Sequence, residues 1–126
     1  VRYGFNSKEA MLVLVTNGEM FPGRNNVIKD INKEKLGITT IVQNYNARDT
    51  SIVMGDKEKI LYGPGFIYEY VGDYKFKISA KSFFQVNTLG MKKLYDLALS
   101  KGLITKNDIV IDAYCGVGTI SIFASK

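Results

Sequence analysis

The sequence predicts an α+β protein in two parts. An antiparallel-sheet domain over residues 1–86 is followed, over residues 87–126, by the first helix, strand and glycine loop of a Rossmann-like unit. Three observations predict it. Short apolar or alternating runs separated by turn residues recur up to Ser79. The apolar period lengthens to that of a helix after Asn87. The closing run Ile109-Val-Ile-Asp-Ala-Tyr-Cys-Gly-Val-Gly-Thr-Ile-Ser-Ile-Phe-Ala-Ser-Lys126 reads as buried strand, glycine turn and helix opening, the junction where open α/β proteins hold nucleotide-like ligands. One strand and half a helix do not make a doubly wound sheet, so the expectation is an internal piece of a longer protein.

The elements follow in chain order. Ala10-Met-Leu-Val-Leu-Val15 is apolar and closed by Thr16-Asn-Gly18, which predicts a buried strand and a turn. Beyond Pro22-Gly23, Val27, Ile28, Ile31 and Leu36 fall at helical spacing, with Gly37 as the stop, and predict an amphipathic helix packed on that strand. Ile38-Thr-Thr-Ile-Val-Gln43 is β-branched and strand-like, and Asn44-Tyr-Asn-Ala-Arg-Asp49 breaks it. Ser51-Ile-Val-Met54 and Lys59-Ile-Leu-Tyr62, flanking Gly55-Asp-Lys-Glu58, predict a hairpin. Phe66-Ile-Tyr-Glu-Tyr-Val71 and Tyr74-Lys-Phe-Lys-Ile-Ser79 predict another around Gly72-Asp73, with Tyr74, Phe76 and Ile78 on one face and Lys75 and Lys77 on the other. Asn87 or Thr88 caps a helix with the stripe Met91, Leu94, Tyr95 and Ala98 and with Gly102 at its end. Asp108 then introduces a strand over residues 109–111.

Composition narrows the chemistry. At 126 residues and 46% hydrophobic content the chain has the material for a core. Lysine and arginine number 17 against 12 acidic residues, a net charge of +5 that suits an anionic partner without identifying one. The chain contains no histidine, which excludes Ser-His, Cys-His and histidine-metal chemistry within it. The single cysteine, Cys115, excludes internal disulfides and four-cysteine metal sites, and fits a reducing, cytoplasmic setting. No apolar run approaches the length of a bilayer span, so no membrane association is expected.

Two motifs carry candidate chemistry. In Asp112-Ala-Tyr-Cys-Gly-Val-Gly-Thr119 a carboxylate ends the predicted strand and Gly-x-Gly opens a helix, giving a close-approach turn beside an acidic group. Ser121 stands where the dinucleotide fingerprint has its third glycine, so a pyrophosphate ligand fits less well than a smaller one with a cationic or hydroxylated part. A turn that needs glycine for its geometry alone is the competing reading. Ser82-Phe-Phe-Gln-Val-Asn87 offers a stacking face and two carboxamides; a final strand with a core phenylalanine and an Asn cap reads the same residues without a ligand. Cys115 at a helix start invites a nucleophile reading, but no histidine serves it as a base.

Together, Ser82-Phe-Phe-Gln-Val-Asn87 and, one helix later, Val110-Ile-Asp-Ala-Tyr-Cys-Gly-Val-Gly-Thr119 resemble the bacterial RNA (uracil-5-)methyltransferases that use S-adenosylmethionine, a family with ribosomal and transfer RNA members. Ile41-Val-Gln-Asn-Tyr-Asn46 and Ile60-Leu-Tyr-Gly63 look like that family's central domain, so the resemblance covers nearly the whole chain. It implies that Gln85, Tyr114 and Thr119 contact S-adenosylmethionine, although family members often carry Asn at the last of these positions. It further implies that Asp112, Gly116 and Gly118 shape the cofactor loop, and that Phe83 or Phe84 lies near the path of the target base. In the family a cysteine thiolate adds to uracil C6, C5 takes the methyl group, and a carboxylate base removes the C5 proton. Both groups stand beyond the position of Lys126, so Cys115 is not that nucleophile and no catalytic residue is assigned here.

The resemblance therefore implies part of an enzyme that methylates uridine C5, with 23S ribosomal RNA the expected partner ahead of transfer RNA, and with this piece inactive alone. Self-association or poor order after about residue 105 is expected from an unpaired strand edge. A small-molecule or DNA methyltransferase would share the glycine loop without needing Ser82-Phe-Phe-Gln-Val-Asn87. A non-catalytic RNA-binding module would use the sheet and its lysines.

Overall fold

A computed structural model describes residues 1–125; Lys126, the last residue of the run read from the sequence, lies outside the described residues. The order is β1 (Arg2–Tyr3), β2 (Ala10–Thr16), α1 (Arg24–Lys33), β3 (Thr40–Tyr45), β4 (Lys57–Tyr62), β5 (Phe66–Val71), β6 (Tyr74–Ser79), α2 (Thr88–Gly102) and α3 (Thr119–Ala124). Strands β1 to β4 form one sheet in sequence order, and β5 and β6 form a separate hairpin. The fold is a mixed α+β arrangement with one departure from the expected antiparallel sheet. β2 and β3 run parallel, Met11 opposite Thr40 through Thr16 opposite Tyr45, because α1 carries the chain back between them.

β3 is the central strand, and its residues Thr40 to Asn44 are buried. Its polar members are therefore tied down. Thr40 Oγ1 donates to the Tyr62 carbonyl at 2.8 Å and accepts from the Gly65 amide at 2.8 Å. Asn44 clasps Gly55, accepting its amide at 2.7 Å and donating to its carbonyl at 3.1 Å. Gly55 comes so close that a Cβ there would collide with the Tyr45 carbonyl. Asn46 Nδ2 bonds the carbonyls of Ile52 and Val53 at 2.6 and 3.1 Å. These side chains occupy the groups that a strand would need, so residues 51–54 form a folded-back loop and the expected hairpin around Gly55 does not exist. β4 pairs with β3 instead, with a bulge at Ile41 and Val42.

The second hairpin matches its expectation: Val71 faces Tyr74 across the two-residue turn Gly72-Asp73, and Phe76 and Ile78 point inward. Helix α1 ends earlier than expected. Lys35 takes a left-handed conformation at φ 49°, which leaves Leu36 exposed and Gly37 outside the helix. No residue of α1 is buried, and its apolar residues Val27, Ile28 and Ile31 are only half-buried, so the expected packing of the helix is loose. Asn87 caps α2 as read, accepting the Gly90 amide at 2.8 Å. Leu103, at φ 50°, ends that helix rather than Gly102. Its packed stripe is Met91, Tyr95 and Leu99; Leu94 and Ala98 face outward.

Two apolar clusters join through Phe84. One holds Met11, Val42, Ile67, Ile78 and Ala80 between sheet and hairpin; the other holds Val71, Phe76, Met91 and Phe123 between hairpin, α2 and α3. The core thus runs without interruption across residue 86. Residues 109–111 form no strand, correcting the element expected there: no neighbouring strand pairs with them, and Ile109 and Ile111 are 93% and 86% exposed. No helix among the described residues is long and apolar enough to cross a membrane.

Glu69 is the buried carboxylate of this fold, 1% exposed. It accepts from the amides of Phe5, Asn6 and Tyr70 at 2.6, 3.0 and 2.7 Å and from the Thr88 hydroxyl at 3.3 Å. Replacing it with Ala leaves three amides without an acceptor and lowers the unfolding free energy in urea by about 3 kcal/mol, while Glu69→Gln, which keeps one acceptor oxygen, costs less. Near residue 105, the Thr105 amide and hydroxyl donate to Asp108 at 2.6 and 2.8 Å, and these bonds, the amide first, hold the Asp108 carboxyl below its ordinary value. A depressed carboxylate contributes its stabilisation at neutral pH and loses it as pH falls through the folded-state value. The Thr105 amide resonance will accordingly titrate on the acid side of 3.8, and not in Asp108→Asn.

Candidate functional site

The segment Ser82-Phe-Phe-Gln-Val-Asn87 leaves the hairpin and enters α2, and its two ends are fastened. Ser82 Oγ accepts the Ser79 amide at 3.1 Å and pairs with Ser79 Oγ at 2.7 Å; its carbonyl accepts from Arg2 Nη1 at 2.6 Å. Asn87 is the helix cap. Between them Phe84 is drawn into the core, with its ring 5.8 Å from that of Phe76. Phe83, Gln85 and Val86 are left outward. Of the two phenylalanines, Phe84 is thus a packing residue and Phe83 the exposed one.

Gln85 lines a cleft of about 500 Å³ with Arg2, Phe5, Phe83 and Thr88, between the N-terminal segment and the start of α2. The Arg2 guanidinium that closes one side is partly buried. Burial lowers its pKa from the ordinary arginine value, and the nearby Glu58 charge opposes that shift. Neither Arg2 nor Glu69, which fixes Phe5 and Thr88 at the rim, was singled out from sequence. Glu69 carried a signal: it is the acid on the apolar face of an alternating strand, where a charge needs partners.

The glycine loop lies on the other side of this segment. Gly116 and Gly118 have φ of 57° and 77°, the left-handed region that favours glycine. A Cβ on Gly116 would stand 3.7 Å from the Phe83 carbonyl, so the two motifs meet at this point. Asp112 accepts from the Ser121 hydroxyl at 2.8 Å, which ties the start of the loop to α3. The serine in place of a third glycine therefore has a local role. Thr119 is buried, and its hydroxyl lies 3.0 Å from the Tyr95 hydroxyl of α2. Tyr114 is 98% exposed. Cys115 is exposed, with Sγ 3.9 Å from the Gly116 carbonyl.

Asp112 and Tyr114 line a separate hollow of about 320 Å³, beside Leu99, Val110, Ile111 and Ile120. The six positions read from sequence thus divide into three groups. Gln85 faces one cavity and Asp112 and Tyr114 another, while Gly116 and Gly118 shape the loop and Thr119 is bonded to Tyr95 of α2. No cluster of three metal-ligating side chains occurs among the described residues.

No family model matches the chain. Relatives do. An uncharacterized RNA methyltransferase of Halalkalibacterium halodurans is 48% identical over 125 residues, covering 99% of this chain and 27% of the relative. Another, from Oceanobacillus iheyensis, is 46% identical over all 126 residues and 28% of its own length. The chain is homologous to RNA methyltransferases. It spans little more than a quarter of these relatives, 27% and 28% of their lengths. The solved structure of tRNA (uracil-54, C5)-methyltransferase from Pyrococcus abyssi, in complex with S-adenosyl-L-homocysteine, superposes with a TM-score of 0.73 at 27% identity, over 97% of this chain and 28% of that one. The resemblance read from the two motifs is therefore borne out at the level of the family.

The Tyr95 and Thr119 hydroxyls form a polar tie between α2 and α3. Tyr95→Phe and Thr119→Val will each cost about 1 kcal/mol in urea unfolding, and the double variant little more than one alone. Faster hydrogen exchange confined to α3 in either variant checks the location.

Proposed function

We propose that this chain forms one wall of the methyl-donor site in an enzyme that transfers a methyl group from S-adenosylmethionine to C5 of uridine, with 23S ribosomal RNA as the substrate. The observation that carries the reading is the meeting of Gly116 with the Phe83 backbone, because it sets the loop of one motif against the segment that presents Gln85. A solved relative that holds S-adenosyl-L-homocysteine and acts on uracil C5 supports the same cofactor and atom. The residues present fit the group. Gly116 and Gly118 leave room for backbone approach, Gln85 offers an exposed carboxamide, Tyr114 an exposed ring, and Asp112 a carboxylate for hydroxyl or amino groups.

In this reading S-adenosylmethionine supplies an electrophilic methyl group. The cofactor spans the two cavities: Gln85 orients it from one, Tyr114 packs against it and Asp112 accepts a hydrogen bond from it in the other, and Thr119 acts through its backbone, since its hydroxyl is engaged by Tyr95. In this reading the central domain gives way near residue 86 to the beginning of the donor-binding domain, the two sharing one continuous core through Phe84. The chain alone is inactive in this reading, because Cys115, exposed with Sγ 3.9 Å from the Gly116 carbonyl, is not the thiolate that adds to uracil. Exposed Ile109 and Ile111 favour its self-association.

In the full-length enzyme, Gln85→Ala will weaken S-adenosyl-L-homocysteine binding by about tenfold in calorimetry; unchanged affinity removes Gln85 from the site. RNA carrying tritium at uridine C5 will release it on methylation. Release from a ribosomal but not a transfer RNA transcript supports the proposed substrate, and the reverse result assigns the enzyme to transfer RNA.

A further inference from the structure

The outward face of the β5–β6 hairpin combines aromatic rings and positive charge. Register puts Tyr68 opposite Lys77, Tyr70 opposite Lys75 and Phe66 opposite Ser79, so the six outward side chains are three aromatics, two lysines and a serine, with no carboxylate among them. The inward residues Ile67, Glu69, Val71, Phe76 and Ile78 are all buried, which makes this face the solvent side of a rigid platform. Phe66 and Tyr68 meet edge to face with centroids 5.3 Å apart. Each lysine leans diagonally over a ring: Lys75 Nζ lies 3.7 Å from the Tyr68 centroid and 5.7 Å from that of Tyr70, and Lys77 Nζ lies 4.0 Å from Phe66.

The loop along the β5 edge fixes this surface further. Ser7 Oγ donates to the Tyr68 carbonyl at 2.5 Å and Asn6 Nδ2 to the Tyr70 carbonyl at 2.6 Å. Glu9, the nearby acid, is taken up by the Tyr68 amide at 2.6 Å. Lys8 in the same loop is exposed and adds a third positive charge beside the strand.

We propose that this face binds unpaired RNA, with bases stacking on Tyr68 and Tyr70 and the ammonium groups of Lys75 and Lys77 moving from the rings to the flanking phosphates. Rings interleaved with lysines are the chemistry of single-strand binding: every base has a face to stack, and every phosphate a charge to pair. Duplex RNA hides those faces within its own stack, so the surface selects a loop or an opened strand. The proposal rests on the reading of the substrate as RNA. It does not depend on the donor site, which lies across the core on the Gln85 side.

Fluorescence anisotropy of the 126-residue chain with labelled decauridylate, over a series of salt concentrations and without methyl donor, tests it. Lys75→Gln with Lys77→Gln should lower the slope of log affinity against log salt by about 1.4, or about 0.7 for each lost phosphate contact. Tyr70→Leu should weaken binding at least about fivefold with the slope unchanged. A duplex of equal length should bind more weakly than the single strand. Photocrosslinking of unmodified protein to iodouridine-containing decauridylate should mark Tyr68 or Tyr70, a measurement that needs no variant to fold. Crosslinks confined to other residues, or variants that bind as the unmodified chain does, overturn the proposal; a loss in the lysine variant alone overturns the stacking. Binding here with no cofactor binding by the full-length enzyme would retain this surface and remove the donor site.

Discussion

The carboxylate of Glu69 is the constraint around which the other parts are arranged. It stands on the apolar side of β5, where a charge without partners would be untenable, and it is made tenable by drawing three segments to one point. The amides of Phe5 and Asn6 bring in the N-terminal loop, the Tyr70 amide holds the hairpin, and the Thr88 hydroxyl fixes the first turn of α2. Because α2 starts immediately after the segment bearing Gln85, the same carboxylate sets where that segment leaves the hairpin. The cleft beside Gln85 follows from a buried charge on the opposite side of the strand that presents Tyr68 and Tyr70.

A second constraint is geometric. The glycine loop lies beside the Phe83 backbone, and α3 is held against α2 by the Tyr95 and Thr119 hydroxyls and by Phe123 in the shared core. The loop is therefore positioned by packing on both flanks, although residues 109–111 leading into it have no strand partner. This separates two properties that the motif alone runs together. The turn has its shape from left-handed Gly116 and Gly118, and its position from α2 and Phe84.

Much of the fold was legible because its signals are local. The β5–β6 hairpin follows from alternation around Gly72-Asp73, and the α2 start from Asn87, whose side chain meets an amide three residues away. The errors fall where distant partners compete. Residues 51–54 have strand composition, but Asn44 and Asn46 capture the local backbone groups first. The strand at residues 109–111 has the right residues and no neighbour to pair with. Leu94 and Ala98 fit a helical stripe, yet the packed line runs through Leu99 because that is where Phe123 and the hairpin lie.

The sequence by itself carried the resemblance, through the order and spacing of two motifs, along with the local conformations that caps, turns and glycines dictate over a few residues. Only the tertiary structure decided which phenylalanine of the pair is core, which side chains of the glycine loop are engaged, and why an acid sits inside β5. Those depend on contacts between residues dozens of positions apart, such as Phe5 with Glu69 or Tyr95 with Thr119. Propensity and periodicity describe a residue's neighbours along the chain, whereas burial and hydrogen-bond satisfaction are settled by neighbours in space.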